Sequence, residues 1–117
     1  MAKKMEMPDM TFKPEHETLL HEIMDDIPQA KASKMFGMPA YKVNGKLATA
    51  LFSRGMVVKL GADRVKAVLA VGNPDLSTFE PMTGRVWKDW LTIVDNFTDH
   101  KAIFEEAVAY VLKENGG

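Results

Sequence analysis

Read for hydrophobic and polar positions, the chain divides into three helical stretches separated by strand-like runs. Leu19, Leu20, Ile23, Met24 and Ile27 recur at helical spacing, Pro14 suits a first helical turn, and Pro28 marks the far limit of this first helix. Residues 40–43 and 46–52 read as short strands joined by Asn44-Gly45, the strongest short hairpin signal. Ser53-Arg54-Gly55 is a second turn, into a strand over residues 56–60. Gly61-Ala62-Asp63 opens a helix of about ten residues with Val65, Val68 and Leu69 on one face, and Gly72-Asn73-Pro74 ends it. Residues 77–80 predict a brief strand and residues 90–94 a stronger one rich in β-formers. Thr98 is placed to cap a last helix, where Ala102, Ile103, Ala107, Val108, Val111 and Leu112 keep one side apolar.

This order, with its hairpin links, predicts an α+β fold: one domain over residues 14–114, with a curved antiparallel sheet of about five strands and helices packed on one face. Residues 1–13 are expected to form an N-terminal arm. At 117 residues, 46% of them hydrophobic and 26% charged, the chain is long enough to bury a core of its own. It contains no cysteine, which removes disulfides, thiolate nucleophiles and cysteine-ligated metal sites from consideration. No signal peptide and no apolar run near the roughly 20 residues of a membrane span are present, so the expected address is cytoplasmic and no membrane partner is expected.

Candidate chemistry is sparse. His16 and His21 are five apart on one helix, about 140° around its axis, and do not form the i, i+4 pair that pinches a metal. They read as solvated helix histidines, with His21 four residues from both Glu17 and Asp25 in a surface charge ladder. Asp25-Asp26 and Glu105-Glu106 are adjacent carboxylates that diverge on a helix and fall on solvent faces. Glycines stand singly at turns, with no phosphate loop or dinucleotide fingerprint. No catalytic residue, metal site or cofactor is expected.

Charge is unevenly spread. Residues 31–88 carry Lys31, Lys34, Lys42, Lys46, Arg54, Lys59, Arg64, Lys66, Arg85 and Lys88 against Asp63, Asp75 and Glu80, a balance of +7. Each flank carries −4, and the chain as a whole −1. The candidate binding residues are therefore Lys42, Lys46, Arg54 and Lys59, with Arg85 and Lys88, read as part of a basic sheet surface. Clustered cations raise local potential for an anion, a nucleic-acid backbone or an acidic protein. They also solvate strand faces and guard sheet edges, the more frequent role. The near-neutral total disfavours nucleic acid as partner and leaves another protein favoured, a homodimer also open. A second, lesser expectation is a Met-lined pocket near Phe36, Met38, Tyr41 and Trp87.

Met35-Phe36-Gly37-Met38-Pro39, followed by Lys42-Val43-Asn44-Gly45-Lys46 and Met56-Val57-Val58-Lys59-Leu60, resembles the TfoX N-terminal domain family of bacteria. Phe79-Glu80-Pro81-Met82, Gly84-Arg85, Lys88-Asp89-Trp90 and Leu91-Thr92-Ile93-Val94 are similar to that family's second half. YdhG-type and YjbR-type domains share some of these words. The resemblance implies a compact α+β domain and a family linked through some members to regulation of competence for DNA uptake. It supplies no catalytic residues. The function expected from all of this is a non-enzymatic regulatory or protein-interaction module, with binding of nucleic acid or a small anion as the alternative, and an unrecognised enzyme behind both.

Overall fold

The computed structural model describes residues 13–35, 37–52, 55–80 and 84–114, with backbone alone at Met35. The predicted arm therefore falls, apart from Lys13, outside the described residues, as do Phe36 and Arg54. Helix α1 spans Pro14–Met24, with Pro14 in its first turn and Leu20, Ile23 and Met24 buried. It stops four residues before Pro28, although Ile27 is still buried beyond its end.

Six strands follow in one antiparallel sheet where the sequence indicated about five: β1 (Lys31–Met35), β2 (Met38–Val43), β3 (Lys46–Phe52), β4 (Gly55–Lys59), β5 (Leu76–Thr78) and β6 (Trp90–Ile93). Their spatial order is β1-β2-β3-β4-β6-β5. The strand that sequence reading missed, β1, is an edge strand reading Lys-Ala-Ser-Lys-Met, with Lys31, Ala32 and Lys34 exposed. A strand that buries so little has no hydrophobic alternation to betray it, and edge lysines discourage further pairing. The predicted hairpin is present: Asn44 and Gly45 have φ of 51° and 84°, both left-handed as a type I′ turn requires. A bulge at Tyr41/Lys42 then shifts the β2–β3 register.

Helix α2 (Ala62–Ala70) buries Val65 and Val68, and α3 (Lys101–Glu114) buries Phe104, Ala107, Val108 and Val111. Thr98 does not cap α3. It lies inside a short 3-10 turn, Phe97–His100, that runs directly into the helix, and Asn96 precedes that turn in left-handed geometry at φ 54°. All three helices pack on one face of the sheet. There Leu20, Ile23, Val65, Phe104 and Val111 meet Tyr41, Leu51, Met56, Val58, Leu91 and Ile93 in the main core.

The opposite face is also apolar. Met38, Ala40, Ala50, Phe52, Val57 and Trp90 form a second buried cluster, covered not by a helix but by Phe79, with Leu47 and Trp87 packed against it. The sheet is thus buried on both sides of β3 and β4. Thr49, fully buried, satisfies its hydroxyl by donating to Val57 O at 2.7 Å.

Candidate functional site

The described candidate cations do not all stand together on one open face of the sheet. Because both faces of β3 and β4 are apolar, the lysines are displaced to the margins and acquire different neighbours. Lys42 shares the helix-free face with Lys31, directly across the β1–β2 ladder. Lys46 stands at the hairpin, and Lys59 closes β4 by pairing with Glu114 at 3.1 Å, an interaction that lowers the Glu114 carboxyl. Arg64 forms a two-pronged contact with Glu106, at 2.6 Å and 3.1 Å. Lys101 pairs with Asp26. The basic middle and the acidic flanks therefore interlock in part through Lys59 and Arg64, while Lys101 joins one flank to the other, and one member of each adjacent carboxylate pair is engaged.

The histidines are more engaged than solvated helix positions would be. His21 Nδ1 lies 2.6 Å from the Tyr41 hydroxyl, whose pKa is raised by burial and by Asp25, and its Nε2 is 3.5 Å from Glu17. His16 sets its ring edge-on against Phe97 at 4.7 Å, and desolvation followed by Lys13 lowers its pKa. His100 Nε2–H donates to Asp75 at 3.0 Å, and Asn96 Nδ2–H donates to the same carboxylate at 3.1 Å. These hydrogen bonds hold the Asp75 carboxyl below its ordinary 3.8, so its stabilising contribution is complete above that pH and is lost as pH falls through the lower folded-state value. The destabilisation caused by Asp75→Asn is accordingly expected to be largest at neutral pH and to fade well below 3.8 in thermal melts at matched ionic strength.

Of the predicted pocket residues, Phe36 lies outside the described residues, Met38 and Trp87 share the second cluster, and Tyr41 is separated from them. Met38 and Tyr41 are three apart on β2, so they take opposite faces of the sheet: Tyr41 joins the helix-side core and Met38 the second cluster. Trp87 and Trp90, three apart in sequence, share one side of the sheet. Trp87 precedes β6 in an irregular segment, where Trp87 N–H donates to Phe79 O at 2.9 Å and Trp90 N–H to Trp87 O at 3.1 Å. Phe79 anchors both indoles, with ring centroids 5.4 Å from Trp87 and 6.1 Å from Trp90.

That arrangement opens a cleft of about 390 Å³ between α2 and residues 84–90. Val65, Lys66 and Leu69 supply its wall from the helix, and Thr78 comes from the end of β5. Val86, Trp87, Lys88 and Trp90 close the opposite side. A shallower depression of about 400 Å³ continues past Trp87, Lys88 and Trp90 to Lys59 and Asp89. Val86 keeps 47% of its surface exposed although it is apolar. Lys66 and Lys88 are both exposed and make no ion pair among the described residues, leaving Asp63 as the only carboxylate on the main cleft's described lining.

Trp87 and Lys88 were visible as candidates in the sequence. Val65, Lys66 and Leu69 were not, because about twenty residues separate them from the aromatic segment and only the packing of α2 beside β5 and β6 brings them there. No group of three metal-ligating side chains occurs among the described residues, and no described helix is long and apolar enough to cross a membrane.

The fold is a single α+β domain built on an open, six-stranded antiparallel sheet. Comparison with family models, with curated proteins and with solved structures found no match.

Proposed function

We propose that this domain is a non-enzymatic binding module of a regulatory kind, with the cleft between α2 and residues 84–90 as its recognition site. The observation that carries this reading is the composition of the cleft. Two tryptophans, the branched side chains of Val65, Leu69 and Val86, and two lysines without an ion pair among the described residues line a concavity of about 390 Å³, within the size and character of ligand pockets: apolar walls with a few placed polar groups. The described lining holds one carboxylate, Asp63, and no histidine. The turn and strand words shared with the TfoX N-terminal family point the same way, toward regulation.

Trp87 and Trp90 are the chain's two tryptophans, so tryptophan emission arises only from residues that line this cleft. Titration with benzyl alcohol, a neutral aromatic fragment, is expected to shift that emission saturably. Converting Leu69 and Val86 together to glutamine makes two lining positions polar and is expected to weaken the response several-fold. Emission that stays flat, or that responds equally in the double variant, would remove the cleft from consideration.

A further inference from the structure

We infer that the cleft takes a small amphipathic anion, one ring or short aliphatic body carrying a carboxylate or phosphate. This rests on the cleft reading above and adds the chemistry of the occupant. The body is specified by the walls: Trp87 and Trp90 present aromatic surface, and Val65, Leu69 and Val86 present branched aliphatic surface. A cleft of about 390 Å³ admits a single ring with a short chain, and little more.

The head is specified by charge. Lys66 comes from α2 and Lys88 from the facing segment, so the two ammoniums stand on opposite walls. Three other cations are satisfied within the protein, Lys59 with Glu114, Arg64 with Glu106 and Lys101 with Asp26; Lys66 and Lys88 differ from the remaining cations, among the described residues, in bordering an apolar cleft. Arg64 and Lys66 occupy the same helix, yet only the arginine is given a carboxylate, and it points to α3 rather than to the cleft. Two ammoniums facing Asp63 alone leave the lining one positive charge in excess. Lysine binds carboxylate and phosphate alike, as a point charge without the fork geometry that would select between them. Apolar contact supplies affinity here, and the ammoniums select for an anionic end.

The test compares three ligands of one shape by tryptophan emission: phenylacetate, phenyl phosphate and the uncharged phenylacetamide. At least one anion is expected to bind about tenfold more tightly than phenylacetamide, the size expected from two exposed charge pairs. The tighter of the two anions identifies the head group. In the double variant Lys66→Gln with Lys88→Gln that advantage should disappear while phenylacetamide binding is unchanged. Both lysines are exposed, so an unaltered melting temperature is expected and excludes loss of fold as the cause. Phenylacetamide binding as tightly as both anions, or an anion preference that survives in the double variant, would overturn the inference. If benzyl alcohol still saturates the cleft in that case, the cleft reading stands without it; if no ligand of either kind binds, both fall.

Discussion

Replacing Phe79 with alanine is expected to cost about 3–5 kcal/mol of stability, the range seen for truncating a fully buried phenylalanine. Phe79 is only 2% exposed, and its ring meets Phe52 edge-on at 5.0 Å and Trp87 at 5.4 Å. It is the one large side chain that reaches the helix-free face of the sheet from outside β1–β4 and β6 while remaining fully buried among the described residues. Removing it leaves a void over Phe52 and withdraws the support behind both indoles. Chemical denaturation should therefore show the stability loss, and native-state tryptophan emission should move to the red as Trp87 and Trp90 gain water. Phe79→Leu keeps most of the volume and should cost well under half as much. An alanine variant within about 1 kcal/mol of the parent would mean that this second cluster is not a stabilising core.

Gly55→Ala should be comparably severe for a different reason. Gly55 begins β4 at φ +147°, and an added Cβ would lie 2.2 Å from Ile93 O and 3.1 Å from Val94 Cα. Both obstacles are backbone, in and just beyond β6, so relief requires parting two central strands that pair from Met56 to Ile93. The expected cost is about 3 kcal/mol or more, with loss of folded protein an acceptable form of that result. Gly45→Ala supplies the contrast. Gly45 has φ +84° but nothing within 4 Å of a new Cβ, so it should lose only the strain of left-handed geometry, about 1 kcal/mol. Equal losses at the two positions, measured by denaturant melts, would contradict the contact-based explanation.

Much of the fold could be read from periodicity and turn chemistry. The helical spacing of Leu20, Ile23 and Met24, the Asn44-Gly45 turn and the breakers at Gly72-Asn73-Pro74 all lead to the elements observed. These signals are local, and the elements they mark bury one clear face. β1 escaped because an edge strand contributes little to any core, and Lys31 and Lys34 give it the polarity of a loop. The site was less legible. A charge count over residues 31–88 treats neighbouring cations in sequence as neighbours in space, yet Lys59 reaches Glu114, Arg64 reaches Glu106, and Lys42 stands beside Lys31 on the far side of the sheet from the helices.

Of the pocket residues Phe36, Met38, Tyr41 and Trp87, Phe36 lies outside the described residues and strand parity sets Tyr41 on the opposite face from Met38 and Trp87, a separation the spacing of Met38 and Tyr41 already contained. Trp87 precedes β6, so strand parity does not fix its side. What joined Lys66 and Leu69 to Lys88 was the placement of β5 outside β6, a long-range pairing that no local pattern announces.

The most direct test of the central claim is an amide and indole NMR map of the uniformly labelled domain during titration with phenylacetate. The cleft account predicts that the Trp87 and Trp90 indole signals and the amides of Val65, Lys66, Leu69 and Lys88 move together along one saturable curve. Shifts confined to Lys31, Lys42 and the β1–β2 ladder would place recognition on the basic margin of the sheet and contradict it.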